Sequence, residues 1–140
     1  MFKRVFCEGL IWTPEDFLAE MQRPCNLPVF IYRGLHPIGF AWLNGITANH
    51  AFAHFCFLVD SWGRDTEQAG RMVIDYWMSL EANGKPVFDV LIGATPETSG
   101  LAVGFAERLG FVRVGAIPKM ITNVYTGKKN AAVILYYVRD

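Results

Sequence analysis

Residues 89–118 constrain the fold more than any other stretch of the chain, because their apolar pattern changes period twice. Val90, Leu91, Ile92 and Gly93 form a short, nearly all-apolar run, the pattern of a strand covered on both faces. Ala94, Thr95 and Pro96 are expected to break it, and Thr98 or Ser99 to cap the helix that follows. Ala102, Phe105, Ala106 and Leu109 then recur at helical spacing. Gly110 is placed to close that helix, since a residue without Cβ tolerates the left-handed conformation common at helix ends. Phe111, Val112, Val114 and Gly115 resume strand character. A helix between two strands permits a parallel crossover, so this segment predicts a unit of an α/β sheet.

The remaining sequence supplies the other elements. Phe2 to Cys7 reads as an opening strand. Thr13-Pro14-Glu15-Asp16 is a helix start, with a capping hydroxyl, Pro in the first turn and acids at the positive end of the dipole. Phe17, Leu18 and Met21 give that helix its buried stripe, and Pro24 ends it. Strands follow over Val29 to Tyr32 and Ile38 to Leu43, joined by the turn Arg33-Gly34-Leu35-His36-Pro37. His50 to Val59 is a longer strand, punctuated by Asp60-Ser61-Trp62-Gly63. A helix from about Asp65 to Leu80, a turn at Asn83-Gly84-Lys85-Pro86 and a last strand over Ala131 to Val138 complete the chain. No repeat, linker or low-complexity segment interrupts it, so residues 1–140 read as one domain. The order is strand, helix, three strands, helix, strand, helix, two strands. It predicts an α/β (mixed α+β) fold, a mixed sheet with helices on both faces.

Composition narrows the function. Thirteen basic residues balance thirteen acidic ones, which argues against nucleic-acid binding, where a surplus of Lys and Arg neutralises phosphates. No apolar run approaches the ~18–20 residues that span a bilayer, and the N-terminus lacks a signal-peptide pattern. The expectation is a cytoplasmic protein without a membrane partner. An apolar fraction of 52% at zero formal charge predicts that some apolar surface is covered by a second subunit, as a homodimer. Cys7, Cys25 and Cys56 have no metal-like spacing and read as small hydrophobes. His50, His54 and Cys56 resemble a ligand cluster on paper. On a strand, however, the two histidines lie ~13 Å apart at ~3.3 Å per residue and cannot share an ion. No metal site is expected.

The segment Ser99-Gly-Leu-Ala-Val-Gly-Phe-Ala-Glu-Arg-Leu-Gly-Phe resembles the C-terminal half of the GNAT-type N-acetyltransferases, usually worded N-x-x-A-x-x-L-Y-E-x-x-G-F. The element order fits that fold along nearly the whole chain. The resemblance implies a mostly antiparallel twisted sheet of six to seven strands flanked by helices. It also implies that the strands at His50 to Val59 and Val87 to Ala94 run parallel and splay at their C-terminal ends, where the cofactor site lies.

Family members bind the pyrophosphate of acyl-coenzyme A on backbone N–H groups of a loop worded roughly [Q/R]-x-x-G-x-[G/A], at the start of a helix. The physics is that of any helix N-terminus, whose unpaired donors and positive dipole favour an anion. Matching that pattern puts Gly70 on the final small position, followed by Val73 and Ile74. Gln68 stands where the family has Gly, and Asp65 where it has Gln or Arg, with Arg64 one residue away. The implied cofactor set is Leu58, Val59, Gly63, Arg64, Asp65, Thr66, Gln68, Ala69, Gly70 and Ser99, with acetyl-coenzyme A as co-substrate. The alternative is that Trp62 to Glu67 is merely a capped strand-to-helix connection.

The chemistry needs a base for the amine and an acid for the leaving thiolate. Many members place a Tyr acid where this chain has Ala106, so that acid is missing and orientation of the reactants must carry more of the rate. Ser99, at the family's Asn position, is a partner for the pantetheine arm or the thiolate, or else a helix cap. His54 leads as base because His titrates in the useful range, with His50 and Asp60 next. Glu8 and Trp12 fall where the family builds its acceptor pocket, and Glu107 and Arg108 read as a solvated helix face. The function implied is transfer of an acetyl group to a primary amine of a small molecule or peptide. The alternative is a non-catalytic binding or virion-assembly protein on the same scaffold, resembling small eroded members carried by tailed phages.

Overall fold

The computed structural model describes residue 8 and residues 11–140, and the expected strand at Phe2 to Cys7 lies outside them. In chain order the elements are α1 (Pro14–Met21), β1 (Leu27–Arg33), β2 (His36–Asn44), β3 (His50–Phe57), a 3-10 turn (Val59–Ser61), α2 (Arg64–Ser79), β4 (Glu81–Ala82), β5 (Lys85–Pro86), β6 (Val90–Pro96), α3 (Gly100–Arg108), β7 (Val112–Thr122) and β8 (Lys129–Val138). Helix α1 starts as its sequence demands. Thr13 Oγ1 accepts the Asp16 N–H at 3.1 Å, and the Asp16 carboxylate accepts the Thr13 N–H at 3.0 Å. Asn83 and Gly84, at φ of 53° and 74°, turn the chain tightly enough to pair β4 with β5.

Six strands form one sheet in the order β1-β2-β3-β6-β8-β7, and every neighbouring pair is antiparallel except β3 and β6. That parallel pair is short. His50, Ala51 and Phe52 align with Val90, Leu91 and Ile92, and there the pairing stops. Beyond it, Ala53 to Phe57 stay paired with β2 while Gly93 to Pro96 stay paired with β8. The two strands part at their C-terminal ends, as the family resemblance implies.

Two of the boundaries that differ from the sequence reading shape the site. Ala94, Thr95 and Pro96 do not break β6, because β8 offers Ile134, Val133 and Ala132 opposite them, and a terminal Pro interrupts no ladder behind it. Strand β3 ends at Phe57 rather than Val59. There the chain enters a 3-10 turn in which the Ser61 N–H bonds the Leu58 carbonyl and the Trp62 N–H bonds the Val59 carbonyl, so these groups find local partners instead of β2. Leu58 still donates its N–H to the Ile38 carbonyl at 2.9 Å, after which Val59 enters the 3-10 turn.

The core lies between the sheet and the α2–α3 face. Helix α2 contributes Val73, Ile74, Trp77 and Met78, a stripe at helical spacing, against Leu43, Ala51, Leu91 and Leu135 of the sheet. Helix α3 adds Val103, and Leu109 and Phe111 follow it. On the other face Phe17 of α1 packs on Phe40, with ring centroids 4.7 Å apart, so helices do cover both faces. Among the described residues no helix is long and apolar enough to cross a membrane.

Candidate functional site

Where β3 and β6 part, a cleft of about 720 Å³ opens, within the size range of small-molecule sites. Its walls are His54, Cys56 and Phe57 of β3, Gly93 to Pro96 of β6, the start of α2, and the α3 face carrying Ser99, Ala102, Phe105 and Ala106.

The start of α2 is shaped by Gly63, Thr66 and Trp62. Gly63 sits at φ 143° and ψ −155°, a backbone region in which essentially only glycine is at ease. The buried Thr66 hydroxyl accepts the Gly63 N–H at 3.1 Å and donates to the Gly63 carbonyl at 2.6 Å. The Trp62 indole N–H donates to the Phe57 carbonyl at 3.2 Å and ties the loop to the end of β3. Helical geometry leaves the N–H groups of Arg64, Asp65 and Thr66 without an intrahelical acceptor, at the positive end of the helix dipole. This arrangement can hold an anion. The Asp65 carboxylate does not oppose it, because Arg33 Nη2 engages that carboxylate at 2.7 Å on the outer surface.

Of the residues singled out from sequence, His54, Val59, Gly63, Thr66 and Ser99 line the cleft together, and Glu8 lines it as well. Others do not. His50 stands at the opposite end of β3, roughly 23 Å from Phe57 at ~3.3 Å per residue, with Nδ1 2.8 Å from Thr47 Oγ1. Asp60 and Leu58 point to solvent around the 3-10 turn. Gln68, Ala69 and Asp65 lie off the cleft wall. Gly70 has a packing role instead of a phosphate-facing one. A Cβ there would come within 2.9 Å of Leu109 Cδ1 and 3.1 Å of Phe105 Cζ, so its absence lets α2 approach α3. Of Arg64 only the backbone is described. Trp12 turns away from the cleft and meets Tyr125 edge-on at 5.4 Å.

His54 is held by two residues that the sequence reading passed over. Its ring stacks on Trp42, and its Nε2–H donates to Asn44 Oδ1 at 2.9 Å. Burial pushes its pKa down to about 4, so the ring is neutral at physiological pH with its lone pair on Nδ1. Burial likewise pushes the Cys56 thiol up to about 11. That wall of the cleft therefore carries no charge at neutral pH. The Trp42–His54 juxtaposition was recoverable, because the β1–β2 and β2–β3 turns set an antiparallel register in which the two are direct partners.

Ser99 occupies the N-cap position of α3, yet its hydroxyl makes no capping bond. Ala106 lines the cleft where the family's Tyr would stand and brings no proton there. Glu107 and Arg108 are both exposed, as expected of a solvated helix face, but Arg108 does more than meet solvent. It lines the cleft and pairs with Glu67 of α2, which Arg71 also holds.

No family sequence model and no curated protein sequence matches the chain. Solved structures do, and they show that it has the fold of the GNAT-type N-acetyltransferases. A single-residue variant of spermidine N-acetyltransferase from Vibrio cholerae matches with a TM-score of 0.71 at 14% identity, covering 89% of this chain and 72% of that one. The microcin C7 self-immunity acetyltransferase, solved with acetyl-CoA and AMP, matches at 0.72 and 17% identity, covering 89% and 67%. The ribosomal-protein-S5-alanine acetyltransferase from Vibrio fischeri matches at 0.71 and 16% identity, covering 91% and 73%.

Proposed function

We propose that the protein is an acyl-coenzyme A-dependent N-acetyltransferase that acetylates a primary amine of a small molecule or peptide. The observation that carries this reading is the parting of β3 from β6 beside the unpaired amides of α2, which gives one cleft both a slot and an anion site. In this reading the unpaired amides at the start of α2, with Thr66 in the cleft wall, receive the diphosphate. The facing edges of β3 after Phe52 and of β6 after Ile92 have no strand partner among the described residues, so their backbone groups are open to the pantetheine amides. Bound acetyl-coenzyme A supplies the thioester that the amine attacks.

The chain's own groups then have restricted roles. Nδ1 of neutral His54 accepts the proton of the attacking amine, with low basicity, so positioning supplies most of the acceleration. The Ser99 hydroxyl, uncommitted as a cap, donates a hydrogen bond toward the leaving thiolate. The Cys56 thiol stays protonated at neutral pH, which favours direct transfer over a covalent acyl-cysteine. Glu8 offers a carboxylate to an incoming ammonium. Cys25 and Cys56 are both thiols, which supports a cytoplasmic compartment.

The test is whether acetyl-coenzyme A raises the melting temperature, as any ligand of the native state must. No shift at millimolar ligand sinks the reading. Binding without release of free thiol across a panel of small amines and peptide N-termini would instead favour a non-catalytic binding or virion-assembly role, to which Ala106 at the Tyr position already points. A homodimer belongs to the same proposal. Edge strand β7 exposes Val112, Val114, Ile117 and Met120, apolar side chains that a second copy would cover, and sedimentation equilibrium gives the answer.

A further inference from the structure

Among the described side chains, Arg108 is the only Lys or Arg that lines the cleft, where it is outnumbered by the carboxylates of Glu8 and Glu67. Its attachment to Glu67 is loose. Arg108 Nε stands 3.5 Å from Glu67 Oε2, and neither Nη group donates to any described residue. Arg71 Nη2 lies closer, 3.1 Å from Glu67 Oε1, and also donates to the Arg108 carbonyl at 2.6 Å. Glu67 therefore remains neutralised if Arg108 leaves it. Both side chains of the Arg108–Glu67 pair are partly exposed, at 58% and 33%, and such pairs contribute little to stability. Gly104 lies one turn earlier on α3. A Cβ there would come to 3.4 Å from Arg108 Nη1, so the guanidinium folds back over this glycine.

We infer that Arg108 binds the 3′-phosphate of coenzyme A, passing Glu67 wholly to Arg71 as it does so. The inference rests on the coenzyme A reading above. The amides at the start of α2 match the diphosphate, whose two charges are single and spread. The 3′-phosphate is a dianion one sugar away on the same nucleotide, and it calls for a full cation. Gly63, Thr66, Glu67 and Arg108 line the same cleft, so the guanidinium held by Glu67 shares its wall with the start of α2. A guanidinium with both Nη groups open presents the planar fork that suits a phosphate.

The experiment is calorimetric binding of coenzyme A and of 3′-dephospho-coenzyme A to the parent, Arg108→Gln and Glu67→Gln. The parent should prefer coenzyme A by about ten- to a hundredfold. Arg108→Gln should erase that preference by weakening coenzyme A alone. Glu67→Gln should bind coenzyme A severalfold more tightly, because a competing carboxylate is gone, and should leave the dephospho compound much less affected. Equal binding of the two compounds by the parent overturns the inference and leaves the coenzyme A reading standing. So does equal weakening of both by Arg108→Gln in a variant with the parent's melting temperature. If that variant fails to fold, the parent's preference and the Glu67→Gln response decide. Absence of binding to the parent by either compound removes the reading and the inference together.

Discussion

The His54 ring lies almost flat on the Trp42 indole, with centroids 4.7 Å apart and planes 15° from parallel. This stack buries the imidazole and fixes its tautomer through Asn44, so one contact sets both the orientation and the charge of the cleft's central side chain.

The first prediction concerns acid stability. His54 titrates near pH 4 in the folded protein and near 6.5 when unfolded, so between those values the unfolded chain binds more protons. The full contribution to stability is present above pH 6.5 and is lost as pH falls toward 4. The slope is at most about 1.4 kcal/mol per pH unit. Denaturant midpoints of the parent and His54→Phe should diverge over that window, the variant showing the flatter dependence. Parallel curves would mean that the ring is not held neutral.

The second concerns turnover. Under the proposed function, His54→Gln should lower the rate by ~10²–10⁴-fold while leaving coenzyme A affinity unchanged, as for a lost proton acceptor. The acid limb of kcat/KM attributable to this group should fall near pH 4 rather than 6.5. An unaltered rate in steady-state assays moves the base elsewhere.

Packing at the α2–α3 crossing gives the third. Gly70→Val places a branched side chain against Leu109 and Phe105, and overpacking of this kind costs about 1–3 kcal/mol. Chemical denaturation should register that loss, whereas coenzyme A affinity of the folded variant should stay near the parent value. A large drop in affinity at unchanged stability would return Gly70 to the phosphate site.

Gly63 supplies the opposite case. Open space surrounds its Cβ position, so Gly63→Ala meets no neighbour and suffers only from the backbone at φ 143°. Strain of that kind costs of order 1–3 kcal/mol and is relieved by moving the start of α2. Under the proposed function, coenzyme A affinity should fall together with stability. Calorimetry that finds affinity intact would separate the loop from the cofactor.

Much of this architecture was legible because period and punctuation agree locally. Thr13 with Asp16 wrote the start of α1, and Val90 to Gly93 wrote a buried strand. The site was less legible, since its determinants lie between elements distant in sequence. Nothing near Gly70 says that Leu109 and Phe105 will occupy the space where its side chain would stand. Nor does the neighbourhood of Asp65 reveal that Arg33, on the first hairpin, will draw its carboxylate outward. His50 and His54 look alike in sequence, yet they are separated by a run of extended backbone that puts only one of them in the cleft.

The bond from the Leu58 N–H to the Ile38 carbonyl has a reach that its place at a strand end does not advertise. From it β3 leaves β2, and Leu58 to Gly63 swing across to start α2. The ladder on the outer side of β3 thus works as a length gauge for the cleft on its inner side. Adding a residue pair to that ladder would carry the strand end, the helix start and its unpaired amides along together, shifting the anion site along the cleft.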